Sequence, residues 1–452
     1  MSELEHFRAK WAPVRVKKMR RARNPELRFD PVGTGMAPAV AIAPGLSRSQ
    51  AANLRPKLMA AIVFATLVFN FVLCFVNTNL LRIGSGVVIF AELVLIGAAL
   101  AAVATRSRDV LVLLGMWLAY GLLLCALHGS FDPKPIRDMM IPIIFYFAGR
   151  EAGSPEMGDR LVTAAVATVL AIGLFEYFFL PLYIKYFDIL GYYVSRGSVE
   201  AASAETSSDR LFISGMRYEG RTLLPFLGEH RVSSIFLEPV SVGNFGAICF
   251  SWIVLRHWRR PAAMFLRLLP VVAICVFADA RFGLFVSLGG VAVIGLARFV
   301  GWVPVLLAPF TVALILACVG FAYPDTPWDN TLPGRLLLCG QMLSKLTPEE
   351  LFAIIKVDRF TADSGYTYTF TQIGLGGFAA LWTLFVIAPC RNIAAWRYRL
   401  FVALYVVLLL TISNSIYSIK TGGLLWYLLG ALAAGKAAAA PLPGPVPGRV
   451  AS

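Results

Sequence analysis

LMAAIVFATLVFNFVLCFVNTN, Leu58 to Asn79, runs for twenty-two residues without a charged side chain. About 20 apolar residues in a helix are enough to cross the ~30 Å hydrocarbon core of a bilayer. The stretch does not alternate polar with apolar residues, as a barrel strand would. It therefore reads as a membrane-spanning helix. The rest of the 452-residue chain has the same character: 58% of residues are hydrophobic, 15% are charged, and the mean hydropathy is +0.71. Soluble domains rarely have this composition. The fold class that follows is all-α, a polytopic membrane helical bundle.

Eleven further runs behave like the first. Together the expected spans are 58–79, 84–105, 110–127, 137–149, 161–184, 235–255, 263–279, 282–299, 301–323, 367–389, 398–414 and 421–438. The fourth is short and is broken by Pro142. Only Asp279-Ala280-Arg281 separates the seventh from the eighth, so these two form a tight hairpin. The sequence thus divides into a basic tail (1–57), a transmembrane region (58–438) and a Pro/Gly-rich C-terminal tail (439–452) expected to be disordered. The basic segment is too long and too polar for a cleavable signal.

Lysine and arginine set the expected orientation. Residues 1–57 hold twelve of them, including KKMRRAR from Lys17 to Arg23. Positive segments stay in the cytoplasm, and this one reads as a topology determinant rather than a nucleic-acid or acidic-lipid patch. With the N-terminus inside, Arg106, Arg108, Arg150, Arg160, Arg256, Arg259, Arg260, Arg298, Arg391, Arg397 and Arg399 all fall inside. An even number of spans also returns the C-terminus to the cytoplasm.

Two outward loops, about 185–234 and 324–366, are far longer than the rest. Loops beyond ~12–15 residues are functional or disordered. The first carries Lys185, Arg196, Arg210, Arg217, Arg221 and Arg231; the second carries Arg335, Lys345, Lys356 and Arg359. Guanidinium grips phosphate in a bidentate fork, so these loops suit an anionic ligand. In the second loop, 348–356 reads as a short helix capped by Thr347. Charges at the span edges carry further weight, because an ionisable group at membrane depth costs ~2.5–3.5 kcal/mol and by default marks function. Glu238, Asp279, Arg281 and Asp363 stand at such edges, with Arg231 just before Glu238. Asp279 and Arg281 also suit a structural pair that holds the hairpin. Glu92 and Glu176 lie inside spans, with no role readable from sequence.

Other chemistries lack their signatures. The four histidines form no ligand-spaced pair, so no metal site is expected. There is no P-loop and no DxD dyad, and no cofactor is expected. The seven cysteines make no disulfide framework.

Three motifs, taken in order, carry a resemblance. RVSSIFLEPVSVGNFG (Arg231 to Gly246) resembles the R-x-x-S-x-F-x-E-P signature of Wzy-type polysaccharide polymerases. Asp279-Ala280-Arg281-Phe282-Gly283 is similar to the arginine turn of the O-antigen ligase and polymerase superfamily. Asp363-Ser364-Gly365-Tyr366-Thr367-Tyr368, followed by Gly374, Gly376 and Gly377, is similar to the element that leaves its large second loop. The likeness extends over about 58–438. The ligase branch carries histidine where this chain has Asp363, which favours a polymerase. Ser364 replaces a usual asparagine, and the Arg281 turn lacks a neighbouring serine common in the superfamily.

The resemblance implies a GT-C-like bundle of about twelve spans in the bacterial inner membrane, with both large loops periplasmic. Its implied reaction moves a growing glycan from undecaprenyl diphosphate onto the non-reducing end of a new lipid-linked repeat. No metal or nucleotide takes part. Arg231 and Arg281 would hold the diphosphate, helped by Arg217, Arg221 and Arg335. Glu238 or Asp363 would be the general base; the alternative for Glu238 is that it only orients Arg231. Tyr366 and Tyr368 would stack on sugars or sit in an interfacial belt. The implied partners are the lipid-linked oligosaccharide, the bilayer, and the pathway's chain-length regulator and flippase, with no nucleic acid. The competing readings are a ligase that delivers glycan to another acceptor, a transporter or flippase, and an assembly subunit without chemistry.

Overall fold

The computed structural model describes residues 48–199, 211, 215–217, 225–329, 331–357, 359, 361, 363–390 and 392–434. The expectations for the N-terminal tail before residue 48, for 435–438 and the C-terminal tail, and for Arg210, Arg221 and Arg391 lie outside the described residues. Among the described residues the regular structure is helical, apart from one isolated antiparallel bridge between Met216 and His230.

Each of the twelve apolar runs lies on an α-helix. These are α1 (Arg48–Asn79), α2 (Ser85–Ala104), α3 (Arg108–His128), α4 (Pro133–Ala152) and α5 (Pro155–Phe178). Two short helices, α6 (Leu180–Tyr186) and α7 (Ile189–Ser195), open the first long loop. Then come α8 (Pro239–His257), α9 (Pro261–Phe277), α10 (Arg281–Leu296) and α11 (Trp302–Ala322). The second long loop holds α12 (Leu332–Ser344) and the single turn α13 (Pro348–Leu351). The chain continues with α14 (Gly365–Ile387), α15 (Ile393–Leu409) and α16 (Ile419–Ala434). By length and composition, seven helices can cross a membrane: Leu54–Asn79 of α1, and α2, α3, α5, α8, α11 and α14. Helices α9, α10 and α16 are apolar but shorter. Large side chains on the flanks face outward, including Phe90 (67% exposed), Leu266 (75%), Leu288 (67%) and Phe321 (79%). Such a belt needs hydrocarbon around it. The chain is an all-helical, polytopic bundle.

The structure differs from the sequence reading in four places. The fifth run does not continue through 184: α5 stops at Phe178, and Pro181 restarts the chain as α6. The fourth run is a full 20-residue helix that carries Pro142 inside it, and Asp132 caps its start by accepting from the Lys134 N–H at 3.0 Å. The 348–356 helix is a single turn, fixed by a capping box between Thr347 and Glu350. The second loop is ordered mainly by α12, which Thr331 caps.

Two helices form the centre. Helix α8 has 78% of its span buried inside the bundle, and α16 is buried along nearly its whole length. Small residues allow this close approach, as expected where helices pack in lipid. A Cβ on Gly149 of α4 would lie 2.0 Å from the Tyr427 carbonyl of α16. A Cβ on Gly283 of α10 would lie 2.4 Å from the Gly243 carbonyl of α8. This second contact locks the α9–α10 hairpin onto the start of α8.

Candidate functional site

The starts of α8, α10, α14 and α16 gather at one end of the bundle. Gly243 meets Ala280 and Gly283, the Asn244 side chain donates to Ser415 Oγ at 3.3 Å, and Gly365 packs against the Ser413 carbonyl. Helix N-termini carry partial positive charge, so this end favours anions before any side chain is counted.

Arg217 and Arg231 come side by side through backbone pairing. Arg217 N–H donates to the Glu229 carbonyl and Arg231 N–H to the Gly215 carbonyl, both at 2.7 Å. Both side chains then reach the end of α9. Arg217 donates to the carbonyls of Leu227 (2.6 Å), Gly228 (3.0 Å) and Phe277 (3.0 Å). Arg231 donates to Ala278 (3.0 Å) and Asp279 (3.2 Å). The pair therefore caps the carbonyls that α9 leaves open. The buried Asp279 carboxylate lies 3.9 Å from Arg217 Nε and holds its backbone at φ +45°. Burial lowers the Arg231 pKa to about 10; Asp279 opposes this, while Arg281 and Arg217 add to it. Arg217 and Arg231 both stay charged at neutral pH.

Arg281, the first residue of α10, is partly exposed. Its side chain makes no hydrogen bond or ion pair among the described residues. The structural pair of Asp279 with Arg281 that the sequence also suited does not form: Asp279 lies against Arg217, and Arg281 is partly exposed beside two arginines bonded to carbonyls. His230 lies in the same layer, its ring 5.8 Å from Tyr177. Burial, then repulsion from Arg217, holds its imidazole below the usual range.

Glu176, for which sequence offered no role, supports this layer from beneath. It is fully buried and accepts from Ser233 N–H (2.9 and 3.0 Å) and Ser234 N–H (2.6 Å). That fixes the turn directly after Arg231, in which Ser234 and Leu237 have positive φ. Glu238 does not orient Arg231. It accepts from Tyr193 and from Ser241 Oγ (3.0 Å), and it lies 3.6 Å from Lys420 Nζ. Burial raises its pKa, but Lys420, Tyr193, Ser241 and Arg196 outweigh that and leave it below the usual range.

Asp363 and Arg335, named separately from sequence, meet at 3.1 Å and are 38% and 31% exposed. Tyr366 and Tyr368 form neither a sugar platform nor an interfacial belt. Tyr366 is 0% exposed and bonds the Val407 carbonyl at 3.2 Å. Tyr368 is 5% exposed and bonds Asp138 at 2.8 Å. Asp138 pairs with Arg137 (2.6 Å), which also pairs with Glu92 (2.6 Å), so the second unexplained glutamate belongs to a structural network. The glycine element after Tyr368 kinks α14: Gly374 has φ +71°, and Tyr120 donates to the freed Ile373 carbonyl at 2.7 Å.

Set against protein-family models, curated proteins and solved structures, the chain matches none.

Proposed function

We propose that the chain polymerises lipid-diphosphate-linked oligosaccharide repeats at the outer face of a bacterial inner membrane, as a metal-independent glycosyltransferase. The observation that carries this reading is the layer of three arginines around the α9–α10 turn, with Arg281 uncommitted. Two guanidiniums fix the turn, and the third is presented to a ligand beside their field. A glycan leaving a lipid diphosphate requires such fixed positive charge in a partly dry site.

In the proposed step the non-reducing hydroxyl of a lipid-linked repeat attacks the anomeric carbon of the growing chain. The bond from that carbon to the diphosphate breaks, and its electron pair departs with the lipid diphosphate. Arg281 receives the diphosphate, supported by Arg231 and Arg217. The hydroxyl proton passes to a carboxylate. Asp363 is the better candidate, since it is the more open and the Glu238 oxygens are already engaged by Tyr193, Ser241 and Lys420. The proposal includes twelve spans in a GT-C-like arrangement, with α4, α9, α10, α15 and α16 crossing as well and both termini cytoplasmic.

The test is glycan length in a deletion strain complemented with variants. Arg281→Ala should leave the protein in the membrane while single repeat units replace long chains. Long chains of normal size in that strain would reject the reading. Lipid-linked polymer that lengthens but is never handed on would indicate a ligase instead.

A further inference from the structure

A second site runs along the side of the bundle from Ile416 and Tyr417 to a charged end opposite the arginine layer, and it is independent of the proposed chemistry. An apolar crevice of about 420 Å³ runs between α4, α14, α15 and α16. Ligand pockets span ~300–1,000 Å³, so this one has the size of a bound molecule. Met139, Ile143 and Phe147 of α4 face Phe378 and Trp382 of α14 across it, with Leu429 of α16 behind. Leu384 and Ile387, which also line it, are 44% and 58% exposed, so it opens sideways onto the apolar belt. Between Met139 and Arg150, at ~1.5 Å per helical residue, it extends for about 17 Å, close to half of the ~30 Å hydrocarbon core. That is the depth of one leaflet.

Its polar end is cationic. Arg150 and Arg399 line it there, and no carboxylate lines it among the described residues. Arg399 is 2% exposed. It donates to the Val386 (2.9 Å) and Ala388 (2.5 Å) carbonyls, while its buried Nε has no hydrogen-bond partner. A wholly buried guanidinium with an unmet donor at the foot of an apolar slot lacks an acceptor. Arg150 is 36% exposed and is held by Asp109 (3.0 Å) and Glu151 (3.1 Å).

We infer that this crevice binds an anionic phospholipid of the surrounding bilayer. One acyl chain lies along α4 and the phosphate sits at Arg399 and Arg150. Length, sideways opening and charge sign all fit a lipid of the leaflet at this end; a polyprenyl diphosphate held by the arginine layer would enter from the other.

Native mass spectrometry of the full-length protein tests this, with phosphatidylglycerol and phosphatidylcholine of the same acyl chains. Phosphatidylglycerol should be retained preferentially. Arg150→Gln should lower that preference about fivefold, as a juxtamembrane arginine would. Leu381→Trp fills the slot, leaves both arginines, and should reduce retention of both lipids. Because Arg399 also ends α14, Arg399→Gln is read only where its melting temperature matches the wild type. Equal retention of the two lipids, or retention unchanged by Leu381→Trp, overturns the inference. So does displacement of phosphatidylglycerol by a polyprenyl phosphate.

Discussion

Arg231 joins two requirements in one side chain. Its planar fork spans two successive carbonyls, Ala278 and Asp279, and its charge lies next to Arg281 and Arg217. Lysine supplies the charge as a point and cannot span both acceptors. Arg231→Lys is therefore expected to behave almost like Arg231→Ala, with long polymer lost in both; near-normal chains from the lysine variant would show that charge alone suffices. Glu176 is tested through stability. Glu176→Ala leaves the Ser233 and Ser234 N–H groups buried without acceptors, at ~1–3 kcal/mol each, and should lower the melting temperature by several degrees. His230 gives a pH dependence of known sign. Its folded pKa lies below the ~6.5 of an unfolded chain, so the unfolded state takes up the proton first. Stability is complete above about 6.5 and falls as pH drops through the folded value. Melting curves from pH 8 to 5 should show this fall, and His230→Gln should flatten it.

Helices were legible where apolar length alone decides them, and all twelve runs do lie on helices. Elements set by other signals were not. Helix α12 is amphipathic and stands in a loop, so hydropathy is silent there, and its cue was the Thr331 cap ahead of Leu332-Pro333. The break at Phe179 had its cue in Pro181. At the site, sequence singled out Arg231 and Arg281 because span edges expose charge, but not that Arg231 would bond the carbonyls of Ala278 and Asp279. The roles of Glu176 and Lys420 depend on contacts 57 and 184 residues away along the chain, which no local pattern encodes. The element that most tightly couples fold to site is the α8–α10 contact. A side chain at Gly243 would meet the Ala280 Cβ at 2.6 Å, between Asp279 and Arg281. Gly243→Val should cost about 1–3 kcal/mol through overpacking and should displace the arginine turn. Gly376→Ala, with nothing within 4 Å, serves as the neutral comparison. Equal thermal stability and equal polymer length for the two variants would mean that the hairpin tolerates movement.

At the scale of the molecule, contacts sort the loops onto two ends. His128 Nε2 lies 3.0 Å from the Ala353 carbonyl, Asn79 bonds Tyr186, and Arg231 bonds the 278–279 turn, so both long loops share an end with the arginine layer. Asp159 with Arg256, Arg150 with Asp109, and Asn392 with Leu432 mark the other end. Those arginines expected inside by the positive-inside rule that lie among the described residues, such as Arg150, Arg256 and Arg399, fall at this second end. If that rule orients the chain, the arginine layer faces away from the cytoplasm, where a lipid-linked glycan is reached. Single cysteines in a cysteine-free background distinguish the two orientations. Asp325→Cys sits on the long loop and Arg259→Cys at the opposite end, both exposed. A membrane-impermeant maleimide added to intact spheroplasts should label the first and spare the second until the membrane is opened. The reverse pattern would place the arginines in the cytoplasm and remove the basis for glycan polymerisation there, whatever the mutants of Arg281 showed.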